Sequence, residues 1–149
     1  MRLRPFRSSD LQSLYEIDQA CFAAGIAYSW EELARFIHRR DSHTWVAEEA
    51  GEITGFLVAH RERHRLLHIV TIDVRKAWRR RGVGSLLMGA AEQWAWDHGL
   101  RMIGLETAQD NLVAHKFYGA RGYRKVDEIE RYYGDGTTAW VLVKQLSDN

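Results

Sequence analysis

Hydrophobic and polar positions along this chain keep two rhythms, one for strands and one for helices. Residues 2–6 open as a short strand, and Ser8, Ser9 and Asp10 offer caps for a helix through Leu11, Leu14, Tyr15, Asp18 and Phe22. Ser29 and Glu32 have the spacing of a capping box ahead of Leu33, Phe36 and Ile37, which predicts a second short helix. Between these helices Gly25-Ile26-Ala27-Tyr28 forms an apolar loop, one that either tucks inwards or faces a ligand. Strand signals follow over 44–49 and 53–60, on either side of a hairpin turn at Glu49-Ala50-Gly51-Glu52. A charged tip at 61–65 leads into a return strand at 66–74.

The period then changes. Val83, Leu86, Leu87, Ala90, Ala91 and Trp94 stand at i, i+3, i+4, i+7, i+8 and i+11, the apolar face of one helix that Gly99 ends. Residues 102–107 read as a buried strand, and Asp110 or Asn111 can open a helix that runs to Ala120 and stops at Gly122. Two last strands, near 123–130 and 138–146, enclose a loop at 131–137. Hairpins combined with one strand–helix–strand unit predict an α/β (α+β) domain with a mixed sheet. Nothing repeats and no linker divides the chain, so residues 1–149 are expected to form a single domain.

Composition narrows the function. The 21 Lys and Arg against 20 Asp and Glu leave a net charge of +1, far from the excess that a holder of nucleic-acid backbone carries. Cys21 is the only cysteine, which excludes an internal disulfide and a multi-cysteine zinc site. No apolar run reaches the roughly 18–20 residues of a membrane span, and Met1-Arg2-Leu3-Arg4-Pro5 lacks a secretion signal, so a cytoplasmic location with no membrane partner is expected. His60, His64 and His68 are spaced by four, but a hairpin tip interrupts them. They read as solvated strand and turn positions, and no metal is expected. His115 receives no assignment, and the six tryptophans read as core and rim residues.

The stretch from Ile72 to Leu87 carries the chemistry. A strand ends, a basic loop with Arg79, Arg80 and Arg81 turns, Gly82 and Gly84 arrive, and the long helix begins. Helix N-termini expose unpaired N–H groups and the positive end of the dipole, while glycines let backbone approach an anion, so a pyrophosphate is the natural guest. The dinucleotide pattern fails because its third glycine falls on Leu87, and no lysine completes a P-loop. By itself the segment stays open between a phosphate cradle and a plain basic helix cap.

Arg79-x-x-Gly82-x-Gly84 resembles the pyrophosphate motif of the GNAT (Gcn5-related) N-acetyltransferases. Asn111 through Phe117-Tyr118 to Gly122-Tyr123 resembles that family's second signature, and the order of elements agrees from end to end. The resemblance implies a mostly antiparallel sheet of about seven strands with about four helices, its two central parallel strands splayed to admit acetyl-CoA. It places backbone of Ile72, Asp73 and Val74 on the pantetheine arm and thioester, and Arg79, Arg80, Arg81, Gly82, Val83, Gly84 and Ser85 on the pyrophosphate. Asn111 is to bind the pantetheine end and Tyr118 to stand by the sulfur as proton donor. Glu106, twelve residues before Tyr118, is similar to the base of the ribosomal-protein-alanine and protein N-terminal acetyltransferases.

In that subgroup a Tyr-Tyr loop, here Tyr132 and Tyr133, and a Phe22–Tyr28 wall receive an entering peptide; Ala23 replaces a frequent proline, which loosens the wall. Bland alternatives stay open: a packed Tyr118, a Glu106 paired with Arg101 or Arg131, an Asn111 that only caps, and aromatic loops packed on the sheet. An α-amine titrates near 7.7–8 and a lysine near 10.4, so freeing lysine costs about 3.4 kcal/mol more, and one carboxylate without a metal favours a protein or peptide N-terminus as acceptor. A small amine or lysine acceptor, a non-catalytic acyl-CoA sensor and a nucleic-acid patch at 75–81 are the competing readings.

Overall fold

The strand rhythm of the sequence becomes one mixed sheet in the computed structural model, which describes residues 1–147. Its strands are β1 (Arg2–Pro5), β2 (Ser42–Glu49), β3 (Glu52–Glu62), β4 (Leu66–Val74), β5 (Met102–Ala108), β6 (Arg124–Ile129) and β7 (Ala139–Gln145). The helices are α1 (Leu11–Cys21), α2 (Trp30–His38), α3 (Val83–Asp97) and α4 (Leu112–Ala120). Among the described residues the strand order is β1-β2-β3-β4-β5-β7-β6, and every pairing is antiparallel except β4 with β5. The expected seven strands and four helices are all present.

Local chemistry explains most boundaries. Ala50 and Gly51 take left-handed angles (φ 51° and 81°), the pair that a tight hairpin turn demands. Ser29 Oγ accepts from the Glu32 N–H at 3.1 Å while Glu32 Oε1 accepts from the Ser29 N–H at 2.9 Å, the reciprocal capping box. Asp10 departs from expectation. Its carboxylate accepts from the Arg7 N–H and from both terminal nitrogens of Arg4, so it closes a 3-10 turn ahead of α1 rather than capping the helix. His115 sits with Nε2 3.1 Å from Thr107 Oγ1 and stacks on Trp140 at 4.1 Å, tying α4 to β5 and β7.

The sheet is covered on both faces. Leu14, Ile17 and Leu33 of α1 and α2 pack with Phe56 and Val58, while Leu87, Met88 and Ala91 of α3 pack with Leu57, Leu67, Ile69 and Ile103. One irregularity in β4 matters for function. Ala59 pairs with Ile69 but Val58 pairs with Thr71, so Val70 is an extra residue that bulges the strand. A one-residue slip flips every later side chain to the other face. Leu67 and Ile69 therefore join the α3 side of the core, whereas Thr71 and Asp73 share a face with Val58 and Phe56.

The parallel ladder between β4 and β5 ends just before this bulge, at His68 and Gly104. Beyond it β4 continues to Val74 and β5 to Ala108 without pairing to each other, and a cleft opens between them. Gly55 lets β3 lie tightly under that segment: a Cβ there would stand 2.6 Å from the Asp73 carbonyl oxygen and 3.1 Å from Val83 Cγ1. Gly55→Ala is expected to destabilise the fold by about 1–3 kcal/mol, the usual cost of overpacking. A urea titration checks this, and an unchanged midpoint would contradict the close approach.

Candidate active site at the splay of β4 and β5

Two cavities meet where the strands part. The first, of about 620 Å³, is bounded by Ile72 and Val74 of β4, by the loop and helix start from Arg79 to Ser85 apart from Arg81, and by Asn111 and Tyr118. The second, of about 450 Å³, is bounded by Glu106, Phe22, Tyr28, Tyr132 and Tyr133 over a floor that includes Ile69, Val70 and Leu105. Cys21, Phe22, Ile72, Asn111, Ala114 and Tyr118 line both. A molecule reaching along the first cavity would thus present its end to an occupant of the second.

The wall of the first cavity suits an anion. Arg80 has a left-handed φ of 62° and Gly82, the residue ahead of α3, one of 83°. Turns of this kind point backbone N–H groups inward, and the first N–H groups of α3 have no helical partner. Gly84 presses against α4: a Cβ there would stand 3.3 Å from Phe117 Cζ. Of the expected phosphate-loop residues, Arg81 alone is turned away, its guanidinium 4.1 Å from the Trp78 ring centroid. The other arginines nearby are partly spent on structure, with Arg75 Nε donating to the Ile53 carbonyl at 2.6 Å and Arg79 Nε to Val74 at 3.3 Å. Asp73, expected on the pantetheine arm, lines neither cavity: its carbonyl lies under Gly55 of β3 and its side chain turns to the α1 face. Asn111 does cap α4, Oδ1 accepting from the Ala114 N–H at 3.1 Å, which leaves its amide nitrogen for a ligand.

Glu106 projects beyond the last β4–β5 pair. It bonds neither Arg101 nor Arg131. His68 Nε2 lies 2.8 Å from Glu106 Oε1, and the Tyr132 hydroxyl donates to the same oxygen at 3.4 Å. Both contacts fall on Oε1, which leaves Oε2 for a third group. Nothing local to His68 in the sequence marks a partner 38 residues away, so its place beside Glu106 is visible only in the fold. Tyr118 is packed against Phe117 and Tyr123, and burial, with the charge of Asp73 and then Tyr133 adding, pushes its phenol well above the ordinary range. Burial raises Tyr28 and Tyr133 as well, so these phenols keep their protons and can donate.

The two walls of the second cavity interlock. The Gly134 N–H donates to the Gly25 carbonyl at 2.9 Å, joining the α1–α2 loop to the loop before β7. The structure adds Asp110 and Asp135 to a lining expected to be aromatic; Asp135 is held low by its hydrogen bonds to Thr137.

The histidine series needs correction. His60 is buried, not solvated, with Nδ1 2.8 Å from Arg39 Nη1 and Nε2 3.1 Å from the Phe36 carbonyl. Arginine only donates, so Nδ1 accepts and Nε2–H donates, a neutral ring that fits the lowering of its pKa by burial. His60, Glu62 and His68 lie close enough to hold a cation, but the Arg39 guanidinium already stands against His60 and 3.8 Å from Glu62. No helix among the described residues is long and apolar enough to cross a membrane.

Comparison with known proteins places the chain in a family and its fold among solved structures. Residues 11–123 match the family model described as the acetyltransferase (GNAT) family. The chain is 28% identical to an uncharacterized N-acetyltransferase of Methanocaldococcus jannaschii, over 97% of this chain and 92% of the relative. It is 23% identical to an N-alpha-acetyltransferase of Sulfurisphaera tokodaii, over 97% and 93%. Among solved structures, the ribosomal-protein-S18-alanine N-acetyltransferase of Escherichia coli superposes with a TM-score of 0.86 at 19% identity, covering 99% of this chain and 95% of that one.

Proposed function

The chain belongs to the GNAT acetyltransferase family, and on that premise we propose that it moves the acetyl group of acetyl-CoA to the N-terminal α-amine of a protein or peptide. The observation that carries this is the meeting of the two cavities at Ile72, Asn111 and Tyr118. An anion-seeking cavity, with the open β5-facing edge of β4 along it, opens there onto a second cavity that holds a carboxylate and several phenols.

Backbone N–H groups of the Arg80–Ser85 turn hold the pyrophosphate, and the Asn111 amide holds the pantetheine end. From Ile72 onward the β5 side of β4 has no partner strand, and backbone groups there extend along the pantetheine arm as a neighbouring strand would, the Val74 carbonyl excepted because it already accepts from Arg79. Acetyl-CoA, when bound, supplies an activated acyl carbon. On the other side Glu106 takes the proton of the incoming ammonium, directly or through water, while His68 and Tyr132 orient its carboxylate. The amine nitrogen forms a bond to the acyl carbon and releases its second proton to water, the carbon–sulfur bond breaks, and the electron pair leaves on sulfur. Tyr118 donates a hydrogen bond to that sulfur as its charge develops. Phe22, Tyr28, Tyr132 and Tyr133 enclose the first residues of the acceptor.

A second reading has one observation in its favour. Asp110 and Asp135 beside Glu106 make the acceptor cavity more acidic than its loops suggested, which suits a polyamine. Mass spectrometry separates the two. Given acetyl-CoA, peptides with free N-termini are expected to be acetylated at the α-amine, and N-blocked lysine peptides and spermidine are expected to remain unmodified. Acetylation confined to lysine side chains or to the polyamine would reject the N-terminal reading.

A further inference from the structure

We propose that Asp18 of α1 and Asp73 of β4 hold one proton between them and, as positioning residues, latch the Tyr28 wall of the acceptor cavity onto the cofactor strand. Both carboxyls are buried, at 0% and 1% exposure. Each has one oxygen served: the Tyr28 N–H donates to Asp18 Oδ2 at 2.8 Å, and the Thr71 hydroxyl donates to Asp73 Oδ1 at 2.5 Å. The other two oxygens, Asp18 Oδ1 and Asp73 Oδ2, are buried without a donor, while the two carboxyls lie within hydrogen-bond reach of each other. Two carboxylates only accept, so neither can satisfy the other. One shared proton turns the pair into donor and acceptor and removes both orphans at once.

The surroundings favour keeping that proton. Burial, and then the neighbouring Asp18, hold Asp73 well above the ordinary carboxyl range. Cys21 of α1, Tyr118 of α4 and Tyr28 of the loop also face the pair, and burial pushes the thiol and both phenols up, so all three are neutral. Arg79 is the cation whose charge reaches Asp73, and among the described residues it forms no ion pair with it.

The pair sits at the root of a strap. Asp18 takes the Tyr28 N–H, Gln19 Nε2 donates to the Tyr28 carbonyl at 2.7 Å, and the Tyr28 hydroxyl donates to the Val70 carbonyl at 3.2 Å. Asp73 lies between Ile72 and Val74, the two residues lining the cofactor cavity. Loss of the shared proton leaves two like charges in a dry interior. β4 is held by the sheet, so the loop bearing Tyr28 is the part that yields. The sign follows from a folded pKa raised above the unfolded value near 3.9: the stability held by the pair is complete below about pH 4 and drains away as pH rises through the folded value.

Asp18→Asn and Asp73→Asn test this, since either places an amide N–H where the proton was, a donor at every pH. From about pH 5 to about pH 9 the wild-type thermal midpoint is expected to fall by several degrees relative to both variants. Infrared spectra of the wild type at neutral pH are expected to show a protonated-carboxyl band that either substitution removes. The effect on the acceptor rests on the N-terminal reading: with peptide, the wild-type KM climbs relative to Asp18→Asn as pH rises, while the ratio of kcat values stays flat. Should no peptide be acetylated, the thermal and infrared measurements still decide the latch. Parallel midpoint curves for all three proteins, or no protonated band at neutral pH in the wild type, would overturn it, and the second needs no variant to fold.

Discussion

Tyr118→Phe is expected to lower kcat by about 10²–10³-fold, the usual cost of deleting one donor aimed at a developing charge, with acetyl-CoA affinity unchanged. The ring is 6% exposed and packed in the core cluster with Phe117 and Tyr123, and phenylalanine keeps that packing. Only the hydroxyl is lost, at the junction of the two cavities. The direction of the pKa shift refines its role. A free thiol titrates near 8.5 and an ordinary phenol near 10, and burial drives Tyr118 higher still. Full proton transfer from this phenol to a departing thiolate would run uphill, so in the proposed reaction Tyr118 acts by hydrogen bonding to the sulfur, and solvent completes the protonation. Two results follow for experiment. Calorimetric titration with acetyl-CoA should give the same affinity in both proteins, and no tyrosine ionisation should appear as a basic limb in the wild-type rate. A drop in kcat below about tenfold would return Tyr118 to a packing role.

Glu106→Gln is expected to reduce kcat/KM for a peptide by about 10²–10⁴-fold at neutral pH, the range for removal of a general base. The defect should shrink as pH passes the ordinary α-amine value near 8, because the acceptor then sheds its proton to water unaided. His68→Gln should cost less, since it only orients the carboxylate through the 2.8 Å contact to Oε1. The double variant should be no worse than Glu106→Gln alone, as groups acting in one unit are not additive. A defect of constant size across pH, or additive losses, would show that Glu106 shapes the cavity rather than accepting the proton.

Signals that live within a few residues were legible in the chain. The three-to-four spacing from Val83 to Trp94, the Ser29–Glu32 box and the glycines at 82 and 84 each act through neighbouring backbone, so their meaning survives without the rest of the fold. That is why the turn into α3 and the Asn111 cap are legible from the chain. Asp10 shows the limit of the same logic: it stands at the start of α1, but Arg4 of β1 and the Arg7 N–H take its carboxylate, and no side chain caps the helix.

The order and type of the elements, the glycine turn that opens α3 and the spacing of Glu106 ahead of Tyr118 were thus determined by sequence alone, because hydrogen-bonded periodicity and turn chemistry are local. Strand register was decided only in three dimensions. The extra residue at Val70 turns Asp73 toward α1, the end of the ladder at His68 opens the cleft, and parallel pairing sets His68 against Glu106. The meeting of Gly25 with Gly134 and of Asp18 with Asp73 is of the same kind. These contacts join residues dozens of positions apart, and a one-residue change in pairing would undo them with almost no trace in the local pattern.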